Sequence, residues 1–521
     1  MRILLHCNAG PTLGIGHVMR SIALAEEAIA AGHRVVLAGE VEGEFVRRRL
    51  AAVTGLELVP VRRPAGDALR ELLRDLDPDV VHVDTYDLDV DPSSWIEDGR
   101  AVPLLSNMED GTFGRRPADV AVDPSLGAED APYAGSSTWL LRGARYTPLR
   151  RSVVGHRGGW TARPVPRRVL VVMGGTDPMR LTAPALELLG RTGLPLEVTA
   201  VVAGEAAGPC ADVAAEHPQL DVRLVPPLDD LPAAMVGQDL VISAAGTSVW
   251  ELCCLGVPTA LVCTVENQRL GYDRIVSAGA ALGLGSSAGD LLAAPTVERL
   301  RDVLGSLADR RSLSDRAARI VDGLGAWRVV SAWEQLVREP SPGPVETLLE
   351  VRAADLSDAR SLWRWRNDPT TRANSLQQDE VPFEDHLRWL EATLGRDDRI
   401  LLVAADGAGD VGTVRWDRVA EQEWEVSITV APTRRGQALS RSLLAAGERE
   451  LLRRAGRPAT AIALVQERNA ASRRLFETSA YLPDRPTDGR GVRTYAKQLT
   501  AGPLKTRSGP RTAGSPGARR G

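Results

Sequence analysis

A histidine beside two glycines near the start of the chain is the first group that could do chemistry. Gly14 and Gly16 separate the apolar residues 3–5 from a segment whose apolar residues recur at helical spacing. This order predicts a strand, a tight loop and a helix, and the start of the helix offers free N–H groups and a positive dipole end to phosphate or another anion. The same field disfavours a protonated imidazole, so His17 is a candidate base near pH 7.

Two other interpretations of this loop stay open. A lone histidine at a helix start often caps the helix or packs in the core. The loop could also bind a dinucleotide, with Glu40 after the next strand as the ribose-binding acid, but Met19 stands where that motif requires a third small residue.

The elements that follow predict a parallel sheet. Residues 1–125 alternate between predicted strands at 34–38, 56–60, 80–84, 102–105 and 120–122 and predicted helices at 42–52, 66–76 and 92–99. Such alternation places helices on both faces of the sheet and ligands beyond the carboxyl ends of the strands. His17, Asp84 and Asp110 fall at such ends, although either aspartate could equally be a solvated loop residue.

A second α/β unit follows the segment 133–166, which is rich in Gly, Ser, Arg and Pro and breaks the pattern. Its first strand is predicted at 167–172, and a later one begins at 239. Small or polar residues end these two strands: Gly174, Gly175, Thr176 and Asp177 after the first, and Ser243, Gly246 and Thr247 after the other. Glu251 lies in the first turn of the next helix, where it either completes a capping box or binds the ribose of a nucleotide whose diphosphate lies on the helix N-terminus.

Composition limits the protein class. The 521 residues, 44% of them hydrophobic and 25% charged, predict a soluble protein of about three domains. A formal net charge of -5 argues against a general nucleic-acid-binding surface, and no apolar run approaches the roughly 20 residues that cross a bilayer. The N-terminus carries too few apolar residues for a signal peptide.

The cysteines predict neither a disulfide framework nor a metal site. The chain has five, an odd number, and the neighbours Cys253 and Cys254 point apart on a predicted helix. No Cys/His cluster has zinc spacing, so we expect no metal. We interpret the thiols as reduced core residues of a cytoplasmic protein.

The last third of the chain predicts a different unit. The Pro-rich residues 339–346 are interpreted as a linker, and residues 500–521 as a disordered basic tail. Between them, predicted strands at 347–351, 399–405, 412–416 and 423–430 accompany helices at 356–366 and 441–454. A basic loop at Arg435 joins the last strand to the last helix, and a loop of this kind suits a pyrophosphate.

Five motifs in residues 1 to about 335 resemble the UDP-sugar hydrolases of pseudaminic acid biosynthesis. They are Gly14-x-Gly16-His17-x-x-Arg20, Gly174-Gly175-Thr176-Asp177-Pro178, Ser243-x-x-Gly246-Thr247-x-x-x-Glu251, Glu266-Asn267-Gln268 and Asp322-Gly323-Leu324-Gly325-Ala326. The resemblance implies a two-domain, glycosyltransferase-B-like fold with halves at 1–150 and 151–338. It also implies release of UDP from UDP-2,4-diacetamido-2,4,6-trideoxy-β-L-altropyranose.

The same resemblance assigns the residues of the hydrolase site. It implies that His17 is the active-site histidine, that Ser243 to Glu251 bind UDP, and that Glu266, Asn267 and Gln268 face the sugar or the phosphates. The remaining substrate-binding residues that it implies are Gly14, Gly16, Arg20, Asp110, Gly174, Gly175, Thr176 and Asp177.

Residues 347–499 resemble the GNAT acetyltransferases that modify amino-sugar nucleotides. The resemblance rests on Trp365-Arg366-Asn367-Asp368-Pro369, Phe383-x-x-His386-x-x-Trp389-Leu390 and Asn469-x-x-Ser472-x-x-Leu475-Phe476-Glu477. It implies acetyl-CoA as co-substrate, with its pyrophosphate on the loop at Arg435 and with Asn469 along the cofactor. The implied cofactor-binding residues are Val430, Arg435, Gly436, Gln437, Ala438, Ser440 and Asn469.

The acid and base of this second site are less closely defined by the motifs. Phe476 stands where many members carry a general-acid tyrosine, so Tyr481 or an ordered water takes that role. Glu425 is the candidate base, directly or through water, and the alternative is a solvated strand carboxylate.

Taken together, the two resemblances lead us to expect a bifunctional cytoplasmic enzyme acting on UDP-amino sugars. A glycosyltransferase of the same fold and a nucleotide-sugar-binding scaffold are the rival interpretations.

Overall fold

A computed structural model describes residues 1–10, 15–62, 65–86, 103–111, 113–174, 177, 179–202, 206–338, 347–375 and 377–500. The chain folds into two compact units. The first comprises Met1–Ala128 and Gly135–Val330, and the second comprises Glu129–Ala134 and the chain from Ser331 onward.

The first sheet of the first unit contains seven parallel strands in the order β3-β2-β1-β4-β5-β6-β7. The strands are β1 (Arg2–Cys7), β2 (Arg34–Gly39), β3 (Leu56–Pro60), β4 (Val80–Asp84), β5 (Leu104–Met108), β6 (Val120–Asp123) and β7 (Trp139–Arg142). The accompanying helices are α1 (Gly16–Ala30), α2 (Glu44–Ala51) and α3 (Gly66–Leu76). The central strands β1 and β4 are almost wholly buried because helices cover both faces of a parallel sheet.

Two predictions for this sheet were inaccurate. The segment 133–166, interpreted as a break, contains β7, whose short apolar run pairs in parallel with β6. The strand predicted at 102–105 lies at Leu104–Met108, where pairing with β4 and β6 also buries the polar Ser106 and Asn107. The helix predicted at 92–99 lies outside the described residues.

The second sheet of this unit contains six parallel strands in the order β10-β9-β8-β11-β12-β13. The strands are β8 (Arg168–Val172), β9 (Leu196–Val201), β10 (Leu220–Val225), β11 (Leu240–Ala244), β12 (Thr259–Val262) and β13 (Leu282–Gly283). The helices are α4 (Arg151–Val154), α5 (Thr182–Arg191), α6 (Ala207–Glu216), α7 (Leu231–Val236), α8 (Ser248–Leu255), α9 (Arg269–Ser277), α10 (Ala288–Leu292), α11 (Ala294–Gly305) and α12 (Leu307–Ile320). Two apolar clusters, one on each face, cover this sheet. The next helix, α13 (Gly325–Arg338), contains the boundary between the two units.

The second unit is built on a mixed sheet in the order β14-β15-β16-β17-β18-β20-β19. The strands are β14 (Glu350–Ala353), β15 (Arg399–Asp406), β16 (Gly409–Arg418), β17 (Glu423–Val430), β18 (Ala459–Gln466), β19 (Leu482–Arg485) and β20 (Val492–Leu499). The helices are α14 (Ala359–Asn367), α15 (Pro369–Ala373), α16 (Phe383–Leu394), α17 (Ser440–Ala455) and α18 (Ala470–Thr478). Neighbouring strands are antiparallel except for β17 and β18.

The parallel strands β17 and β18 separate part-way along the sheet. Residues 423–426 pair with 460–463, and the pairing stops there although β17 runs on to Val430 and β18 to Gln466. The inner edges of the two strands therefore border a wedge, and backbone N–H and C=O groups at such an edge require another partner.

The predicted fold class is confirmed: two parallel sheets with accompanying helices are followed by an α+β unit. The three sheets fall within the predicted domains 1–150, 151–338 and 347–499. The predicted linker at 339–346 and residues 501–521 of the predicted tail lie outside the described residues. None of the helices that the structure describes is long and apolar enough to cross a membrane.

Candidate functional site

His17 belongs to a buried polar network at the N-terminal end of α1. Its Nδ1 atom lies 2.6 Å from Oδ1 of Asp84, the last residue of β4. Nε and Nη2 of Arg20, one turn further along α1, donate to both oxygens of the same carboxylate at 2.9 and 2.8 Å. Nη1 of Arg20 donates to both oxygens of Asp110 at 2.8 and 2.9 Å, and the hydroxyl of Tyr86 donates to Asp110 as well.

The charges in this network fix the protonation of the histidine ring. Burial alone would raise the pKa of Asp84, but Arg20 and His17 hold it well below the usual range, so the carboxylate is ionised. An ionised carboxylate accepts and cannot donate, so Nδ1 of His17 carries the proton in their contact. The lone pair therefore lies on Nε2, which is the nitrogen that can act as a base. Arg20 Nη2 approaches the same Nδ1 at 3.0 Å but cannot accept its proton.

Arg20 holds the two aspartates together. Burial opposes its charged form, but the carboxylates of Asp110 and Asp84 outweigh that effect and raise its pKa. The ring of Tyr86 packs edge-on against the imidazole, with 4.5 Å between the ring centroids. Asp84 has 1% of its surface exposed, so the interpretation of this residue as a solvated loop carboxylate is wrong.

The N-terminus of α1 faces the small-residue loop of the second sheet. A Cβ atom placed on Gly16 would lie 2.9 Å from Cγ2 of Thr247, so a larger residue would force the two loops apart. A narrow cleft lies here, lined by Gly16, Arg20, Arg150, Thr247, Trp250 and Glu251 among others. The residue before α1, Ile15, makes no side-chain cap, and Gly14 lies outside the described residues.

The capping box predicted at the start of α8 is not formed. Thr247 is the N-cap residue, but its side chain makes no capping hydrogen bond. Glu251 accepts instead from Nη2 of Arg150 at 2.7 Å, and both side chains are nearly buried. The local spacing suggested a cap, but a guanidinium from a distant segment competes for the same carboxylate. The N–H groups of Val249 and Trp250 in the first turn of α8 donate to the carbonyls of Gly246 and Thr247 at 3.1 and 3.2 Å, and the positive end of the helix dipole in this loop is suited to an anion.

The other predicted residues of this half surround the same loop. Ser243 is buried at the end of β11 and donates to the carbonyl of Ala244 at 3.0 Å. Gln268 accepts from the backbone N–H of Thr264 at 3.1 Å, and its Nε2 would lie 3.4 Å from a Cβ placed on Gly246. Glu266 and Asn267 are exposed beside it.

The glycine turn after β8 leads to Asp177, which caps the next helix. Asp177 accepts from the N–H groups of Leu181 and Thr182 at 2.8 and 3.0 Å, so it caps the start of α5. Gly174 has a φ of +81°, a conformation that suits glycine. The predicted site residues Gly175 and Thr176 lie outside the described residues.

In the second unit, the loop between β17 and α17 presents backbone groups beside the wedge. Gly436 and Ala438 both adopt left-handed conformations, with φ of +76° and +56°. An alternation of this kind turns successive N–H groups toward one side, which makes an anion-binding concavity. Leu439 precedes α17 without a side-chain cap, so the first N–H groups of the helix, from Ser440, also remain available. Ala438 thus adopts a left-handed conformation that glycine adopts more readily than alanine.

Two neighbouring arginines of this loop form different ion pairs. Nη2 of Arg434 lies 2.6 Å from Oδ2 of Asp406, while Nη2 of Arg435 lies 2.7 Å from Oδ1 of Asp368. Gln437 accepts from Nε of Arg434 at 3.1 Å. The predicted pyrophosphate ligand Arg435 is therefore engaged by a carboxylate in this structure.

The remaining predicted residues of this unit differ in their surroundings. Val430 ends β17 at the open side of the wedge. Asn469 caps α18 by accepting from the N–H of Ser472 at 3.1 Å. Glu425 is half-buried on β17 opposite Asp417 of β16, and burial together with Asp417 raises its pKa, against a smaller opposing effect of Arg415.

Tyr481 is enclosed in the second unit, where burial and the neighbouring Glu448 carboxylate raise the pKa of its hydroxyl. The side chain is fully buried in the apolar core of the unit and packs against Phe476 with 4.9 Å between ring centroids. A general acid has to contact the group that it protonates. The prediction of Tyr481 as the acid therefore receives no support from its position, because its apolar neighbours draw the ring into the core.

Sequence reasoning missed three participants. Tyr86 lies two residues after Asp84, Arg150 follows β7, and Asp368 lies inside a motif that had been used only for family resemblance. Only Tyr86 carried a local signal, since it follows a predicted strand end.

In the part of the chain that the structure describes, no group of three or more His, Cys, Asp or Glu side chains converges in a way that could hold a metal ion.

Comparisons with known proteins divide the chain in the same way as the sheets. Residues 349–480 match the family model described as "Acetyltransferase (GNAT) domain". The chain is 26% identical over 212 residues to the spore coat polysaccharide biosynthesis protein SpsG of Bacillus subtilis, which covers 40% of this chain and 61% of SpsG. The match therefore spans about three-fifths of that relative.

Two further matches cover longer parts of the chain. The uncharacterized protein MJ1062 of Methanocaldococcus jannaschii is 20% identical over 447 residues, which is 82% of this chain and 86% of that protein. The crystal structure of Acinetobacter baumannii MurG covers 64% of this chain and 99% of its own, with 16% identity and a TM-score of 0.48. The region that matches the GNAT acetyltransferase domain thus follows two parallel α/β sheets.

Proposed function

We propose that this chain is a bifunctional enzyme of nonulosonic acid biosynthesis. Its GNAT domain transfers an acetyl group from acetyl-CoA to the 4-amino group of a UDP-amino sugar. Its first unit then hydrolyses UDP-2,4-diacetamido-2,4,6-trideoxy-β-L-altropyranose to the free sugar and UDP. The observation that carries the hydrolase proposal is the buried contact between His17 and Asp84 at the N-terminus of α1.

In the hydrolytic step, Nε2 of His17 accepts a proton from water while the water oxygen bonds to the anomeric carbon. The bond between that carbon and the β-phosphate oxygen breaks through an oxocarbenium-like transition state, and UDP leaves with the bonding electrons. The imidazolium that forms lies against the Asp84 carboxylate, which stabilises it. The positive dipole ends at the starts of α1 and α8 stabilise the charge that develops on the diphosphate.

In the acetyl-transfer step, the acceptor amine attacks the thioester carbonyl and the bond to sulfur breaks. Glu425 accepts the proton that the amine loses, and its raised pKa makes it a stronger base than an ordinary glutamate. The thiolate of CoA takes its proton from water, since Tyr481 is enclosed in the core. The loop from Arg435 to Ser440 and the edge of β17 at Val430 hold the cofactor, with Asn469 alongside it.

Two findings support this assignment beyond the site geometry. The family model that matches residues 349–480 describes an acetyltransferase domain, a fold class whose cofactor is acetyl-CoA. The relative SpsG is named for polysaccharide biosynthesis, which is consistent with a sugar substrate in the first unit. Acetylation also produces the substrate that the hydrolase consumes, so the two activities form consecutive steps.

The test is to incubate the full chain with a panel of UDP-amino sugars, with and without acetyl-CoA, and to identify the products by mass spectrometry. We expect free UDP and a free diacetamido sugar only when acetyl-CoA is present, unless the supplied sugar is already acetylated. His17→Asn should lower hydrolysis by about 10²–10⁴-fold and leave acetylation and UDP binding nearly unchanged. Sugar attached to an added acceptor, with no free sugar, would replace the hydrolase by a glycosyltransferase.

A further inference from the structure

Helix α15 lies across the open side of the wedge between β17 and β18. At the start of the helix, Nη2 of Arg435 lies 2.7 Å from Oδ1 of Asp368 and 2.7 Å from Oγ1 of Thr371. Beyond its other end, Nε2 of Gln466 donates to the carbonyl of Ser375 at 3.1 Å. Arg435 follows β17 and Gln466 ends β18, so the segment 368–375 connects the two strands where they have separated.

This segment is held by polar contacts alone. None of the five side chains of α15 is buried, so no apolar burial fixes the helix against the sheet. Each ion pair or hydrogen bond near the surface contributes little to stability. Elements that are held only by such contacts therefore open at a low cost in free energy. The position of α15 therefore depends on whether Arg435 remains with Asp368.

The pyrophosphate of acetyl-CoA and the Asp368 carboxylate require the same guanidinium. Burial alone would raise the pKa of Asp368, but its hydrogen bond from Arg435 keeps the pKa below the usual range, so the group is a full anion at neutral pH. A pyrophosphate on the loop would repel this anion at short range and compete for Arg435 with a larger charge. Asp368 contacts Nη2 of Arg435, so a pyrophosphate on the same guanidinium would lie beside this carboxylate, and the repulsion between the two anions favours the release of Asp368.

We propose that Asp368 is a positioning residue that sets the order of substrate binding, holding Arg435 and α15 across the wedge until the pyrophosphate of acetyl-CoA replaces it. The inference rests on the proposed acetyltransferase function. Acetyl-CoA binds first in this scheme, because only its pyrophosphate releases Asp368. The amine acceptor then enters past the displaced segment 368–375.

The variant Asp368→Asn tests the competition without removing the helix cap. The Asp368 side chain accepts from the N–H of Thr371 at 3.0 Å, and asparagine can keep that hydrogen bond while losing the charge. Asp406→Asn is the matched control, because it neutralises the partner of the neighbouring Arg434 in an ion pair of similar length, 2.6 Å.

Two measurements on the full chain decide the question. In calorimetric titrations with acetyl-CoA, Asp368→Asn should bind about two- to fivefold more tightly than the wild type, and Asp406→Asn should bind like the wild type. In hydrogen exchange, acetyl-CoA should increase the exchange of amides 369–375 in the wild type. The same amides should already exchange fast in Asp368→Asn without ligand. In steady-state kinetics the variant should lower the KM for acetyl-CoA more than it changes kcat.

The possible failures are distinguishable. Unchanged affinity in Asp368→Asn, together with unchanged exchange of amides 369–375 on binding, would overturn this inference and leave the acetyltransferase function intact. An equal gain in affinity for Asp406→Asn would also overturn it, since the effect would then be a general change in charge. Absence of acetyl-CoA binding to the wild type would overturn both proposals.

Discussion

Nδ1 of His17 lies 2.6 Å from Oδ1 of Asp84, and this carboxylate is shared with Arg20. The two residues are 67 positions apart and come together because β4 pairs with β1, whose chain continues into α1. The contact fixes the ring tautomer, and Arg20 keeps the carboxylate ionised. The orientation of the candidate base therefore depends on a residue from the neighbouring strand.

Asp84→Asn should lower hydrolysis by about 10²-fold or more, because the amide no longer stabilises the imidazolium and can present its NH₂ group to Nδ1, which favours the wrong tautomer. Asp110→Asn is the matched control: it also removes a charge from Arg20 but leaves the contact between Asp84 and His17 in place. Rates should be measured on the acetylated UDP-sugar at saturating concentration. Equal losses in the two variants would contradict a specific role for Asp84.

The position of α1 was predictable from residues close together in the chain. The glycines around His17 and the strand before them predicted a helix N-terminus at a ligand site, and the structure has α1 there. The pairing with Asp84 was not predictable, because it depends on strand order rather than on local sequence. The partner of Glu251 was not predictable either, because its spacing suggested a helix cap whereas the structure pairs it with Arg150 from a distant segment.

The second unit was predicted less completely. The strand-loop-helix pattern indicated an anion-binding loop, but the left-handed conformation of Ala438 could not be expected from an alanine, a residue that rarely adopts it. The burial of Tyr481 depends on packing against Phe476, which a motif does not report. Its aromatic character was visible in the sequence and its accessibility was not.

Arg435→Glu should weaken acetyl-CoA binding and leave hydrolysis unchanged, because it places a negative charge beside the proposed pyrophosphate site. The substitution also sets two carboxylates opposite each other at Asp368, so Arg435→Gln is the companion variant that removes the charge without this repulsion. Calorimetry with acetyl-CoA is the measurement. Wild-type affinity in both variants would remove this loop from the cofactor site.

The two activities should be separable, but the boundary should include α13 on the acetyltransferase side. Nε2 of Gln335 donates to the buried carbonyl of Tyr481 at 2.8 Å, so a fragment starting at residue 347 leaves that carbonyl without its partner. A buried unsatisfied group costs about 1–3 kcal/mol, so fragment 347–500 should unfold at a lower temperature than fragment 325–500.

Fragment 1–338 should retain hydrolysis of the pre-acetylated substrate. The control for the thermal comparison is Gln335→Ala in fragment 325–500, which removes only the hydrogen bond to Tyr481. Equal melting temperatures for all three acetyltransferase fragments would contradict the boundary. A folded but inactive 1–338 fragment would contradict the independence of the hydrolase.

The pH dependence of acetyl transfer tests Glu425. A base acts when deprotonated, so the rate should rise with pH through the pKa of Glu425, which burial and Asp417 raise above its usual value. Asp417→Asn removes the nearby negative charge and leaves Arg415 as the dominant neighbour, so the acidic limb of the profile should move to lower pH. Asp398→Asn is the matched control, because Asp398 pairs with Arg396 in a bidentate contact and is not among the charges that shift the pKa of Glu425.

Glu425→Gln should reduce acetyl transfer by about 10²-fold or more and remove the acidic limb assigned to this group, while acetyl-CoA affinity stays at the wild-type value. The profiles should be recorded as kcat against pH with saturating acetyl-CoA, so that cofactor binding does not contribute to them. If Asp417→Asn leaves the limb in place while Asp398→Asn moves it, the titrating group lies elsewhere. An active Glu425→Gln enzyme with an unchanged limb would leave Glu425 as a half-buried strand carboxylate without a catalytic role.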